Sequence, residues 1–189
     1  MKLLTMQEIA LSIIEETRDV DPEITEGLIL KEAVIPRSEI EKLQTKLHIG
    51  TLNQVFVELI LSYNWGNFGF LSYQFGVNDE ETLNWIVQRN LEYADYDILH
   101  QYDLMIIANG DPSTILLECA TGKVYAIDSE TDYEDRILIA NNFEMLVRAM
   151  GTGQYAVWNG KESEFISMIR ESVNAKGVEF WRGFVGYYK

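Results

Sequence analysis

Apolar residues recur at two different periods along this chain, and the changes of period mark out its elements. Met6, Ile9, Ala10 and Ile13 repeat at helical intervals up to Thr17, and Thr5 with Glu8 has the spacing of a capping box, in which each side chain bonds the other residue's backbone N–H. This helix is expected to stop before Asp21-Pro22, because the residue ahead of a proline is pushed out of helical dihedrals. Residues 26–35, with Leu28, Ile29, Leu30, Val34 and Ile35, read equally as a strand or a packed connector, ended by Pro36. Ser38 and Glu41 repeat the capping-box spacing ahead of a stripe of Ile40, Leu43 and Leu47. A further helical stripe of Val55, Phe56, Leu59, Ile60 and Tyr63 ends at Asn64-Trp65-Gly66, where Asn and Gly suit a left-handed cap. Residues 68–75 alternate as one strand. A helix starting at Asn78 or Asp79 then carries Leu83, Ile86, Val87 and Leu91, with Glu80 and Glu81 in the first turn, where the helix dipole favours negative charge. Residues 92–102 form a polar, tyrosine-bearing connector.

The chain is organised around residues 103–128. Leu104 to Ile107, Ile115 to Leu117 and Val124 to Ile127 are rich in β-branched and long apolar side chains, and turns are supplied by Asn109-Gly110-Asp111-Pro112 and Thr121-Gly122-Lys123. A three-stranded antiparallel meander follows. After Asp128 comes the acidic run Ser129-Glu130-Thr131-Asp132-Tyr133-Glu134-Asp135, which has no apolar period and reads as a solvated loop. Asn142 is expected to cap a helix carrying Phe143, Leu146, Val147 and Met150, closed by Gly151-Thr152-Gly153. Residues 155–158 read as a short strand, 162–175 as a helix and 178–188 as an aromatic terminal segment. Helices mixed with a local meander give an α+β fold rather than a parallel, doubly wound sheet.

The stretch 103–128, followed by Ile139-Ala140-Asn141-Asn142-Phe143-Glu144-Met145-Leu146, resembles the core signature of the SMI1/KNR4 family of the SUKH superfamily. There the last element usually reads Ala-Asp-Ser-Phe-Glu-Glu-Phe-Leu, so Asn141 and Asn142 replace the Asp-Ser pair. Ile40-Glu41-Lys42-Leu43 is similar to the family's opening helix, and Gly50-Thr51-Leu52 stands where a Leu-Pro normally precedes the next one. The resemblance covers most of residues 38–150, leaving N- and C-terminal extensions outside it. At 189 residues the chain reads as a single domain over 1–189, and the resemblance implies a twisted, largely antiparallel sheet packed against helices and serving as a non-enzymatic protein-binding module. Bacterial members of the superfamily are typically immunity proteins that neutralise a cognate toxin, often a nuclease; fungal members are regulatory scaffolds of cell-wall synthesis and signalling.

Composition sharpens the partner. The net charge is −15 over 189 residues, with 47% hydrophobic residues and a pI near 4.4. That balance argues for a core of real size and a basic protein partner, and against nucleic acid or an anionic membrane. The absence of any apolar run of signal-peptide or membrane-span length predicts a cytoplasmic protein. A lone cysteine, Cys119, excludes an internal disulfide and reads as a buried thiol.

Candidate chemistry is sparse. His48 and His100 are far apart and lack ligand spacing, so no metal and no cofactor are expected. Gly151-Thr152-Gly153 and Gly122-Lys123 lack the rest of a phosphate-cradling loop. The run from Asp128 resembles a calcium loop only superficially, because Tyr133 and Ile139 stand where glycine and a bidentate glutamate are needed. The functional reading of that run is an electrostatic docking surface of Asp111, Asp128, Glu130, Asp132, Glu134 and Asp135 at one edge of the meander. Trp65 and Trp158, each beside Asn and Gly, are expected to be partly exposed and to serve as interface anchors, whereas Trp85, Trp181 and Phe143 are expected in the core. The third reading is a cryptic hydrolase in which His100 and a carboxylate converge in a pocket.

Overall fold

The computed structural model describes residues 1–76 and 82–188. Helix α1 (Met6–Glu16) forms the expected capping box, with the Thr5 N–H donating to Glu8 Oε2 at 2.8 Å and the Glu8 N–H to Thr5 Oγ1 at 3.2 Å. A short α2 (Pro22–Thr25) and a 3-10 turn (Glu26–Leu28) lead into β1 (Lys31–Glu32), so residues 26–35 are a connector with a strand inside it. Helix α3 (Ser38–Lys46) starts one residue earlier than its Ser38/Glu41 spacing predicts, and that box does not form. The carbonyls of Pro36 and Arg37 already take the Glu39 and Ile40 N–H groups. Asn53 caps α4 (Gln54–Ser62), which ends before Tyr63; β2 (Tyr63–Asn64) then pairs antiparallel with β1. The single strand expected over 68–75 is a tight hairpin, β3 (Gly69–Phe70) and β4 (Tyr73–Gln74), turned at Leu71 with φ 49°.

The helix start expected at Asn78 or Asp79, with Glu80 and Glu81, lies outside the described residues; the described helix is α5 (Asn84–Leu91). The connector 92–102 contains a short helix, α6 (Tyr96–Gln101), whose Leu99 is fully buried. The meander is β5 (Leu104–Asn109), β6 (Thr114–Glu118) and β7 (Val124–Ile127), extended by β8 (Ile137–Ala140). With the hairpin it makes a six-stranded antiparallel sheet in the order β3-β4-β5-β6-β7-β8, packed against helices in an α+β fold.

Helix α7 (Phe143–Trp158), capped by Asn142, runs straight through Gly151-Thr152-Gly153, and residues 155–158 are helical rather than a strand. The glycines admit neighbours instead of stopping the helix. A Cβ on Gly151 would lie 2.6 Å from Ile9 Cδ1, and one on Gly153 would lie 2.8 Å from Phe184 Cε1. Thr152 satisfies its hydroxyl on the Arg148 carbonyl at 2.7 Å and accepts the Leu4 N–H at 3.0 Å. Helix α8 (Glu162–Ile169) ends earlier than expected, and α9 (Ala175–Phe184), capped by Asn174, turns the aromatic terminal segment into a helix with Val178, Trp181 and Phe184 inward.

Alternation along the strands divides the sheet into two unequal faces. Met105, Ile107, Ile115, Leu117, Val124 and Ala126 point into the main core, which also holds residues from Ile9 of α1 to Val185 beyond α9. Leu104, Ile106, Leu116 and Ile127 point the other way and form a small second cluster with Leu99 of α6. The β5 edge that β4 leaves free is closed by a side chain. Buried Asn90 of α5 accepts the Ile106 N–H at 2.8 Å and donates to the Ile106 carbonyl at 2.9 Å, replacing the strand that would otherwise pair there.

Candidate functional site

The loop between β7 and β8 is held at three points. At its start Asp128 caps its own turn, accepting from Thr131 Oγ1 at 2.5 Å and from the Glu130 N–H at 3.0 Å; these bonds, the hydroxyl first, hold its carboxyl below the usual range. In the middle a 3-10 turn (Tyr133–Asp135) lays Tyr133 over the second face of the sheet, stacked on Tyr102 at 6.3 Å and 18°. The Tyr133 hydroxyl reaches Tyr93 Oη at 3.3 Å and Asp95 Oδ2 at 3.1 Å, and burial together with these partners pushes its ionisation well above the ordinary tyrosine value.

At the end of the loop, Arg136 spreads its guanidinium between two rings, 4.7 Å from the Tyr125 centroid and 5.7 Å from that of Tyr102. Its Nη1 donates to the Tyr133 carbonyl at 2.8 Å, and Nη2 stands 3.6 Å from Glu118. The Tyr102 hydroxyl donates to Glu134 at 2.9 Å, and this bond raises the Tyr102 pKa. Tyrosine bodies thus cover the small Leu/Ile cluster while their hydroxyls and one arginine fasten the loop.

The acidic side chains point outward. Asp128, Glu130, Asp132, Glu134 and Asp135 are all exposed, and Asp135 meets Lys176 at 4.0 Å. The loop is therefore exposed as expected, but pinned at its base. Asp111 is exposed on the β5–β6 turn, and the pairings Asn109 to Thr114 and Thr114 to Ile127 put that turn at the end of the sheet from which Asp128 departs. Asp95 joins the group through Tyr133.

The two tryptophans do not join it. Trp65, expected to be partly exposed, is 1% exposed and walled in by Tyr63, Phe68, Phe75 and Phe143 at centroid distances of 5.1 to 6.1 Å. The turn chemistry around it is real, since Asn64 Oδ1 accepts the Gly66 N–H at 3.0 Å, but the chain folds the indole under itself. Trp158 is half-buried at the end of α7, where neighbouring Asn159 bonds Glu16 of α1 at 3.3 Å, on the α1 side of the molecule. Trp85, Trp181 and Phe143 lie in the core as expected.

Sequence reasoning missed the fastening set of Tyr93, Tyr102, Tyr125, Tyr133 and Arg136. One signal was available: Arg136 is the one cation between Lys123 and Arg148, directly after an acidic run. The charge is also not confined to this loop. Glu15, Glu16, Asp19, Asp21 and Glu23 are exposed around the end of α1 and in α2, with Arg18 among them.

His100 stacks on Tyr96 and does share a void with Asp103 and Cys119, but that void measures about 10 Å³. It has room for about one water and none for a substrate. Asp103 uses its carboxylate to accept the Ala120 N–H at 2.9 Å, and burial pushes the Cys119 thiol far up, away from nucleophilic use. Among the described residues no group of three His, Cys, Asp or Glu side chains is placed to hold a metal ion, and no helix is long and apolar enough to cross a membrane. No protein-family model matches the sequence, and neither does any curated protein.

Proposed function

We propose that this chain is a non-catalytic protein-binding module of the SMI1/KNR4 type, and specifically a cytoplasmic immunity protein whose acidic loop covers a basic surface on a cognate toxin. One observation carries the reading: five exposed carboxylates ride on a loop whose base is fastened by Tyr133 and Arg136. A fixed array of charge meets a complementary surface without the ordering cost of a free loop, and it steers encounter as well. A nuclease is a fitting target, because a surface built to hold phosphate is positive and an acidic protein occupies the same ground.

Co-expression with a toxin candidate from the neighbouring genes tests the proposal: cells survive with this protein and die without it, and continued killing in its presence rejects immunity. Replacing Glu130, Asp132 and Glu134 by lysine is expected to abolish protection while leaving the melting curve in place, since exposed substitutions seldom cost much stability. The second reading is a regulatory scaffold. It is favoured by the second exposed acidic run, Glu15 to Glu23, which offers ground for another partner. Two proteins captured at once from the native cell would favour it over one-to-one neutralisation.

A further inference from the structure

A groove of about 430 Å³ lies between α1, the connector before β1 and the strands β2 and β3. Its walls include Ala10 and Ile14 of α1, Ile29 and Leu30 of the connector, and Tyr63 and Phe70. Helix α1 explains why it stays open. Ile9 and Ile13 form one buried stripe, with Ile9 against Gly151 of α7. Gln7, Ala10, Leu11 and Ile14 stand at i, i+3, i+4 and i+7 and form a second stripe, apolar except for Gln7. Among the described residues none closes over the outer part of that second stripe: Leu11 is 58% and Ile14 51% exposed.

We propose that this groove is a docking site for an amphipathic basic segment of a partner protein, with its apolar side chains in the groove and lysine or arginine along its flanks. The proposal goes beyond the loop-mediated reading above and does not rest on it. Charge complementarity identifies the occupant. Among the described residues Glu32 is the one charged residue lining the groove, and the exposed run of Glu15, Glu16, Asp19, Asp21 and Glu23 continues from the end of α1. Arg18 is the one cation within that run, so the balance of charge there disfavours a fatty acid or another anion. The volume alone would suit a small molecule. Two features extend past the cavity, however: the apolar stripe runs out onto Leu11, and the carboxylates follow the chain into α2, where Ile24 is 73% exposed. A complementary ligand is therefore longer than the cavity, as in helix-in-groove recognition.

The probe is a fluorescein-labelled Leu/Lys peptide of about 18 residues, roughly five helical turns, patterned with one apolar face. Its binding is followed by anisotropy, beside a Leu/Glu counterpart of the same pattern. The lysine peptide is expected to bind, more weakly in high salt, and the glutamate peptide not to bind. Ala10→Arg and Ile14→Arg each weaken binding about tenfold or more, roughly the loss from blocking one apolar anchor. Circular dichroism melts confirm that both variants fold, and methyl NMR of the unmodified protein gives a reading that needs no variant: Ile14 and Leu30 methyls shift on titration, while Ile127 methyls do not. Replacing Glu130, Asp132 and Glu134 by lysine leaves peptide binding within about twofold, so this proposal and the loop proposal fail separately. Equal binding to wild type and Ile14→Arg, no binding at all, or full displacement of the peptide by one equivalent of decylamine each overturns the assignment, the last in favour of a small-amphiphile pocket.

Discussion

Replacing Arg136 by methionine removes the fastening at the base of the acidic loop while keeping an unbranched side chain of similar reach. The guanidinium is lost from two ring faces at 4.7 and 5.7 Å, from the Tyr133 carbonyl at 2.8 Å and from Glu118 at 3.6 Å. Each ring contact is worth about 0.5–2 kcal/mol and the charged hydrogen bond about 1.5–3 kcal/mol, while the ion pair adds under about 1 kcal/mol. These belong to one group and do not add, and methionine is spared the cost of keeping a charge at only 19% side-chain exposure, so the net loss is about 2–3 kcal/mol. Because the second cluster is small, much of that loss falls on local opening rather than on the main core. Native-state hydrogen exchange of the amides from Glu130 to Arg136 is therefore expected to speed up by about 30- to 100-fold, with the buried β5 and β6 amides much less affected. Urea unfolding should shift its midpoint down by about 1 M. Arg136→Lys recovers only part of the loss, because an ammonium neither stacks on two rings nor keeps the forked geometry. Loop exchange unchanged in Arg136→Met would refute the argument and leave the fastening to Tyr133 and Glu134.

Three further outcomes follow from the packing and the titrating groups. Gly151→Ala gains about 1 kcal/mol of helix propensity but places a Cβ 2.6 to 2.9 Å from three carbons of Ile9, so the variant is destabilised by about 1 kcal/mol net; in an Ile9→Ala background the same change becomes stabilising, and an additive double-mutant cycle would contradict the assigned contact. The Thr5 N–H and the Lys2 ammonium hold the Glu8 carboxyl down at about 2. A depressed carboxyl stabilises the fold above its ordinary value of 4.5, and this contribution is lost as pH falls towards 2, so the α1 N-terminus frays in that window; an NMR titration midpoint near 4.5 would dismiss the capping box in solution. The Cys119 thiol is fully buried and raised by burial, so a disulfide reagent reacts only as fast as the chain unfolds, and rapid stoichiometric labelling of the native protein would speak against that burial.

Most strict local patterns survived into the structure, the Ser38/Glu41 box being the exception. The meander could be read from three β-branched runs and two turns because each strand pairs with its sequence neighbour, and the Thr5/Glu8 box and the Asn142 cap involve contacts three residues apart. The larger misses required knowledge of distant partners. Gly151 and Gly153 have the composition of a stop, yet they are contact points for Ile9 and Phe184, which lie far away in sequence. Trp65 sits in a turn and is buried all the same, because four rings from two other segments and its own neighbourhood close over it. The acidic loop was legible as charge but not as a fastened element, since its anchors Tyr93, Tyr102 and Tyr125 come from the connector 92–102 and a strand.

The unequal division of the sheet separates two kinds of selection. Substitutions at Ser129, Glu130 or Asp132 leave the main core untouched, because it is Tyr133, Glu134 and Arg136 that tie this stretch to Tyr102 and Tyr125 beneath. A lineage carrying this architecture is free to rewrite what it recognises by point changes at the loop crest, under rules independent of those that keep the molecule folded. Rapid divergence confined to that crest, with Tyr133 and Arg136 retained, is the evolutionary trace such a separation would leave.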